Sequence, residues 1–154
     1  LCLTNILRGK PLPVYGDGSN IRDWLYVEDH CRGIELVLLH GQVGETYNIG
    51  GNNEWSNLDI VHLLCARMDA RFAADPTLAE RYPEAPQVQG RSATDLIEFV
   101  TDRAGHDWRY AIDASRVMRE LGYAPRESFE SGLERTLDWY LDNEAWWRAL
   151  LDDR

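Results

Sequence analysis

Five segments of the chain place apolar residues three or four positions apart, which is the spacing of one face of an α-helix. They predict helices over residues 1–8, 28–40, 57–68, 114–121 and 129–141. Ser56 or Asn57, Asp113 and Ser128 stand where N-caps are expected, and Gly41 and Gly122 are expected stops. Trp146 and Trp147 continue the apolar face of the last helix. The chain is therefore expected to be rich in helices.

Short runs rich in β-branched and aromatic residues predict strands over residues 12–15, 21–27, 45–49 and 97–100. The first two flank the turn Gly16-Asp17-Gly18-Ser19 and are expected to form a small β-ribbon. Because strands alternate with helices, the order favours an α/β architecture. Residues 70–95 hold three prolines and little periodicity, so they are predicted to be mostly loop, with room for one short helical turn.

The length of 154 residues fits one domain, and no internal repeat argues for an array. A formal net charge of -10 opposes general binding to nucleic acid or anionic lipid, so any phosphate ligand must be held by local contacts. No apolar run is long enough to cross a membrane. Three widely spaced cysteines favour a reducing, cytoplasmic compartment. The first residue is Leu1, which suggests a fragment of a longer protein.

Several kinds of catalytic chemistry are excluded by composition. Lys10 is the only lysine among 16 basic residues, so neither a Walker loop nor a Tyr-x-x-x-Lys pair is present. Gly16-Asp17-Gly18 lacks the third glycine of a dinucleotide fingerprint and is expected to be a turn. No Gly-x-Ser-x-Gly motif supports a serine hydrolase. His62 and Cys65 have no second ligand pair, so no metal site is expected.

The candidate binding residues are polar side chains near strand ends and in loops, namely Arg22, Asn57, Arg103 and His106. Each has a plainer alternative. Arg22 is next to Asp23 and would form a surface ion pair, while Asp102 and Asp107 would neutralise Arg103 and His106. A guanidinium and an imidazole converging on an oxyanion is the functional alternative.

Aromatic residues carry a similar choice. Tyr15 and Trp24 suit stacking on a planar base, although aromatics beside short strands more often cover a core. Trp139, Trp146 and Trp147 lie at helical spacing and indicate packing or an oligomer surface.

The motifs together resemble the dTDP-glucose 4,6-dehydratase family, which are extended short-chain dehydrogenases acting on nucleotide sugars. The resemblance is carried first by residues 9–16, which begin and end with glycine, and by residues 21–30, which contain Arg-Asp-Trp. It is also carried by Tyr47-Asn48-Ile49-Gly50, by the turn Arg103-Ala104-Gly105-His106-Asp107 and by residues 109–113. The last part is the ending Trp139-Tyr140-Leu141 with Trp146-Trp147. The resemblance covers residues 9–147 and is weakest over 70–95. Ala104 stands where the family usually has proline.

This resemblance implies the α/β C-terminal, substrate-binding portion of such an enzyme, with the N-terminal Rossmann half absent. That half would bind NAD and carry the catalytic residues, so this chain alone is expected to be inactive, with no cofactor or metal ligands of its own. The intact enzyme would be a homodimer that converts dTDP-glucose to dTDP-4-keto-6-deoxyglucose with loss of water, in deoxysugar biosynthesis such as that of rhamnose.

The resemblance also implies a role for each candidate residue. Arg22 and Arg103 would hold the diphosphate, Asn57 and His106 the nucleotide end, and Pro13 and Tyr15 the base or ribose. A UDP-sugar epimerase or decarboxylase of the same superfamily and a non-catalytic nucleotide-sugar-binding remnant are the alternatives.

Overall fold

A computed structural model describes residues 1–152 of the protein. The strands are β1 Leu12–Tyr15, β2 Ile21–Asp23, β3 Glu54–Ser56, β4 Ile97–Val100 and β5 Arg109–Tyr110. The helices are α1 Cys2–Leu7, α2 Val27–His40, α3 Asn57–Ala74, α4 Thr77–Arg81, α5 Ser115–Leu121, α6 Phe129–Asp142 and α7 Glu144–Asp152. Two 3-10 helices, Pro86–Gln89 and Ala93–Leu96, precede β4. Within residues 1–152, every helix is too short or too polar to span a bilayer.

Contacts group the chain into two compact units. Unit 1 contains residues 1–22 and 55–110, and unit 2 contains residues 23–54 together with 111 onward. The chain passes from one unit to the other within β2 and again within β3.

The core of unit 1 lies beneath a pair of parallel strands. β1 pairs with β4, with Leu12 opposite Ile97 and Tyr15 opposite Val100. Leu12 and Val14 are fully buried, and the alternation of a strand therefore turns Pro13 and Tyr15 to the other face. The buried side chains that complete this core come from α1, α3 and α4 and include Ile6, Leu7, Cys65, Met68, Leu78 and Tyr82.

The prediction of a β-ribbon over 12–27 is wrong. β1 pairs with β4, and β2 pairs in parallel with β5, with Ile21 opposite Arg109. β2 lies between β3 and β5 in its sheet and ends at Asp23, earlier than predicted. The 16–20 turn is present, but turn chemistry fixes only the local backbone, and the parallel partners β4 and β5 come from more than 80 residues away.

Residues 70–95 contain more helix than the sequence predicts. α3 continues to Ala74, and α4 and the 3-10 helix Pro86–Gln89 follow. The Asp69 carboxylate organises this segment, since it accepts hydrogen bonds from the Gln87 amide at 2.6 Å, the Ser92 hydroxyl at 2.6 Å and the Ala93 N–H at 2.9 Å. Hydrogen bonds to a carboxylate that is distant in the sequence therefore order this segment, and apolar periodicity gives no sign of them.

Unit 2 packs α2 and α5 around Val117 and Tyr123. The strand predicted over 45–49 does not form, because no strand in the described part of the chain pairs with it. Tyr47 and Ile49 instead pack against the Val117 cluster. A run of β-branched and aromatic residues therefore gives burial here without a hydrogen-bonded ladder.

Asp29 does more than place a negative charge in the first turn of α2. It is 2% exposed, and its carboxylate accepts hydrogen bonds from the N–H groups of Arg126 and Glu127, each at 3.0 Å, and from Arg32 at 2.6 Å. It thereby holds the segment that precedes α6 against α2.

The predicted helix ends are largely confirmed. Ser56 caps α3 by accepting the Asp59 N–H at 3.1 Å, and Ser128 caps α6 by accepting the Ser131 N–H at 3.2 Å. Ala114, rather than Asp113, is the N-cap of α5, although the Asp113 carboxylate still accepts the Ser115 N–H at 2.9 Å.

Replacing Gly18 with alanine is expected to destabilise unit 1. Gly18 has φ +76°, and an added Cβ would lie 2.7 Å from Val14 Cγ1 and 2.9 Å from Leu58 Cβ. Left-handed backbone costs a side chain roughly 1 kcal/mol, and overpacking costs about 1 to 3 kcal/mol more. The measurement is the free energy of unfolding by chemical denaturation.

Gly90→Ala is the matched control, because Gly90 has φ +69° in the same unit and open space around its Cβ position. The free energy of unfolding of Gly90→Ala should fall only by the cost of the left-handed backbone, roughly 1 kcal/mol. Equal losses in both variants would contradict the close packing of the 16–20 turn on Val14 and Leu58.

Candidate functional site

The site is built where two chain connections run side by side. Residues 16–20 join β1 to β2, and residues 101–108 join β4 to β5. Because both strand pairs are parallel, the two connections begin and end together. The Gly16 N–H donates to the Val100 carbonyl at 2.9 Å, and the Ile21 N–H donates to the Trp108 carbonyl at 2.8 Å. The polar 101–108 loop is thereby fixed along the 16–20 turn.

Arg103 and His106 meet Tyr15 at the start of this loop. The Arg103 guanidinium carbon lies 5.1 Å from the centre of the Tyr15 ring, and the His106 ring lies edge-on to that ring at 6.3 Å. His106 Nδ1 is 2.6 Å from the Asp102 carboxylate. The structure thus places two of the predicted binding residues, Arg103 and His106, around the exposed ring of a third, Tyr15.

Arg22 is tied to the other end of the same loop. Its guanidinium donates to the Asp107 carbonyl at 3.0 Å and to the Ile21 carbonyl at 2.6 Å, and it lies 5.9 Å from the centre of the Tyr110 ring. Asp23 is engaged elsewhere, because its carboxylate accepts the N–H groups of Gly51 and Asn53. The described contacts therefore do not include the Arg22–Asp23 ion pair that was the plainer alternative.

The plainer alternative, in which aspartates neutralise their neighbours, holds for Asp102, whose carboxylate pairs with His106. Asp107 binds Arg22 through its backbone carbonyl rather than its carboxylate. The hydrogen bond from His106 holds the pKa of the Asp102 carboxyl below its ordinary value, with the charges of His106 and Arg103 adding to the effect. Asp102 is therefore ionised at neutral pH, and its hydrogen-bonding partner is the imidazole.

Pro13 and Asn57 border the same region without polar side-chain contacts among those described. Pro13 shares the outward face of β1 with Tyr15. Asn57 is the first residue of α3, and its N–H donates to the Asn20 carbonyl at 2.9 Å. The Asn20 amide in turn donates to the Asp107 carbonyl at 3.2 Å.

Sequence reasoning missed Asn20. It is 7% exposed and joins α3, β2 and the 101–108 loop through backbone carbonyls. An asparagine just before a strand is an ordinary turn residue, so no sequence signal marks this role.

The arrangement suits an anion next to a flat ring. In unit 2, arginines such as Arg116 and Arg135 are paired with carboxylates. Arg22 and Arg103 instead contact backbone carbonyls and aromatic rings, which leaves their positive charge uncompensated by a hydrogen-bonded carboxylate. Guanidinium groups bind phosphate oxygens with paired N–H donors, and an exposed tyrosine ring offers a stacking surface.

Trp24 belongs to unit 2, and Tyr15 belongs to unit 1. Trp24 contacts Phe129 edge-on at 6.4 Å beside a mainly apolar cavity of about 560 Å³ within that unit. Trp147 is buried, whereas Trp139 and Trp146 contact each other at 5.2 Å and stay largely exposed. Across residues 1–152, no three His, Cys, Asp or Glu side chains gather in a way that would hold a metal ion.

Short parallel strands with flanking helices define a mixed α/β protein. The sequence model described as GDP-mannose 4,6 dehydratase matches residues 1–136, and the chain belongs to this family. It is 51% identical over 152 residues to a dTDP-glucose 4,6-dehydratase from Neisseria meningitidis serogroup B, which covers 99% of this chain and 40% of that relative.

Two solved structures share the fold of this chain. A dTDP-glucose 4,6-dehydratase from Streptomyces venezuelae, solved with NAD bound, has 41% identity and a TM-score of 0.77, with coverage of 97% of this chain and 39% of that one. A UDP-glucuronic acid 4-epimerase from Bacillus cereus, in complex with UDP-glucuronic acid and NAD, has 28% identity and a TM-score of 0.67, with coverage of 92% and 38%.

These comparisons confirm the resemblance drawn from the motifs and the α/β fold class of extended short-chain dehydrogenases. The chain spans about two fifths of the length of the relatives that it matches, and it corresponds to their C-terminal portion.

The lowered pKa of Asp102 gives a pH-dependent prediction. A carboxylate with a depressed pKa stabilises the folded state fully above its unfolded value of 3.8, and this stabilisation is lost as the pH falls through the folded value. Wild type should therefore be more stable than Asp102→Asn at pH 6, and the difference should shrink as the pH falls below about 3.8. Urea unfolding of both proteins across this range measures it.

Asp95→Asn serves as a comparison, because Asp95 is an exposed carboxylate of the same unit outside the site. If the difference in unfolding free energy between wild type and Asp102→Asn stayed constant with pH, it would contradict an ionised Asp102 that is hydrogen-bonded to His106.

Proposed function

We propose that this chain is the nucleotide-sugar-binding portion of a dTDP-glucose 4,6-dehydratase. The observation that carries the proposal is the convergence of Arg22, Arg103, His106 and Tyr15 on the 101–108 loop. The 51% identity to an enzyme of that name supports the choice within the superfamily. The complete protein would convert dTDP-glucose to dTDP-4-keto-6-deoxyglucose and water, for deoxysugar biosynthesis such as that of rhamnose.

In this proposal the basic groups bind the anionic part of the substrate. Arg22 and Arg103 donate to the diphosphate oxygens, since planar guanidinium groups match phosphate geometry. Their attachment to carbonyls and aromatic rings restricts their motion before the ligand arrives, which lowers the entropy lost on binding.

The nucleoside end lies beside the outward face of β1. Tyr15 and Pro13 share that face and offer a flat apolar surface for the base or ribose. His106 and Asn57 supply hydrogen bonds to the nucleotide end from the loop and from the start of α3.

NAD is proposed to bind outside this chain. Lys10 is the only lysine, and Gly16–Ser19 forms a turn between two strands rather than the strand-to-helix loop that holds a pyrophosphate. The residues present therefore do not fit an NAD site, and the chain alone is expected to lack dehydratase activity.

Replacing either arginine should weaken the binding of dTDP. A hydrogen bond to a charged group contributes about 1.5 to 3 kcal/mol, so Arg22→Ala and Arg103→Ala should each raise Kd by roughly ten- to a hundredfold. Calorimetric titration of the full-length protein with dTDP measures this change. Arg91→Ala is the matched control, because Arg91 is an exposed arginine of unit 1 outside the site, and its Kd should match that of wild type.

The result can contradict the proposal in two ways. A folded wild-type protein that does not bind dTDP would exclude the nucleotide site. Equal weakening by all three substitutions would show that general charge, rather than the two site arginines, governs the affinity.

A UDP-sugar epimerase is the second candidate, and the likeness to the Bacillus cereus enzyme favours it. Comparing turnover of dTDP-glucose with that of UDP-glucose and UDP-glucuronic acid by the full-length protein separates the two. A non-catalytic binding remnant is distinguished by reading the coding sequence upstream of Leu1, where an enzyme requires a glycine-rich strand-to-helix loop and a Tyr-x-x-x-Lys pair.

We also propose a homodimer in the reducing cytoplasm. The compartment is supported by three free cysteines, Cys2, Cys31 and Cys65. The exposed Trp139 and Trp146 of α6 and α7 offer an apolar surface of the kind that subunits bury. Sedimentation of the full-length protein determines the oligomeric state.

A further inference from the structure

We infer that Asp102 is a positioning residue that holds the His106 imidazole with its Nε2 directed to the nucleotide ligand. The inference rests on the proposed function and adds a residue that the motif resemblance does not assign. It starts from the 2.6 Å contact between His106 Nδ1 and the Asp102 carboxylate.

The carboxylate fixes the proton position on the ring. An ionised carboxylate only accepts hydrogen bonds, so Nδ1 must carry a proton. The other ring nitrogen, Nε2, makes no hydrogen bond among residues 1–152. In the neutral ring Nε2 accepts a hydrogen bond from a ligand hydroxyl or N–H, and in the charged ring it donates to a phosphate oxygen. Asp102 therefore determines which nitrogen meets the ligand.

The ring is also held by packing. His106 is 10% exposed, it lies edge-on to Tyr15, and its N–H donates to the Arg103 carbonyl at 3.2 Å to close a tight turn. His106 Nε2 is not among the buried atoms of the described residues that lack a partner, so it reaches the surface, where a ligand can bind it.

Asp102 is itself fixed from two sides. One carboxylate oxygen accepts the Arg103 N–H at 2.8 Å. Gly16 lies on the other side of the carboxylate, and a Cβ added to Gly16 would lie 3.3 Å from Asp102 Oδ2. Any side chain at position 16 would crowd the carboxylate, and Gly16 also has φ +59°. Because position 16 is glycine, the turn between β1 and β2 leaves room for the Asp102 carboxylate.

The test is a double-mutant cycle on dTDP affinity in the full-length protein. Asp102→Asn should raise Kd about three- to tenfold, the size of one ordinary hydrogen bond. In a His106→Ala background the same substitution should change Kd by less than about twofold, because Asp102 acts through His106. Asp102→Glu keeps the carboxylate and should recover part of the lost affinity.

Asp95→Asn is the matched control. It removes the same charge from the same unit, and Asp95 is an exposed carboxylate outside the site. Its Kd should equal that of wild type.

Three results would overturn the inference while leaving the proposed function intact, provided wild type binds dTDP. They are an Asp102→Asn variant with wild-type affinity, equal weakening by Asp102→Asn with and without His106, and equal weakening by Asp95→Asn. Failure of wild type to bind dTDP would overturn the proposed function itself, and the ligand-directed role of Asp102 with it.

Discussion

Parallel pairing of two pairs of strands is the constraint on which the site depends. β1 with β4, and β2 with β5, run in the same direction, so the 16–20 turn and the 101–108 loop must lie alongside each other. Residues more than 80 positions apart thereby come within hydrogen-bonding distance, as Arg22 and the Asp107 carbonyl do. If either pair were antiparallel, the two connections would lie at opposite ends of the strands and the site would not form.

The local arrangement of charge is what would let an acidic chain hold the proposed anion. A formal net charge of -10 repels phosphate at long range, yet Arg22 and Arg103 contact carbonyls and aromatic rings. Many other arginines, such as Arg116 and Arg135 in unit 2, have carboxylate partners. Salt screens the long-range repulsion within about 10 Å, whereas direct hydrogen bonds to a phosphate act at contact.

Polar side chains help to organise both units. Asp29 holds the segment before α6, and Asp69 holds the segment that leads into β4. Asn20 links α3 to the 101–108 loop. Each of these side chains forms hydrogen bonds with residues far away in the sequence. A short window of sequence therefore shows nothing unusual at these positions. This explains why residues 70–95 looked like loop and proved largely helical.

The amino-acid sequence alone determined the helices at 28–40, 57–68 and 129–141, the serine caps of the last two, the 16–20 turn and the choice of Arg22, Arg103 and His106 as candidates. These depend on periodicity, capping and turn chemistry, which act over a few residues. Tertiary structure alone decided the partner of each strand, the absence of a ladder at 45–49, and the choice of imidazole over guanidinium as the hydrogen-bonding partner of Asp102. Such choices depend on groups brought together from distant parts of the chain, and their energies exist only once the chain has folded.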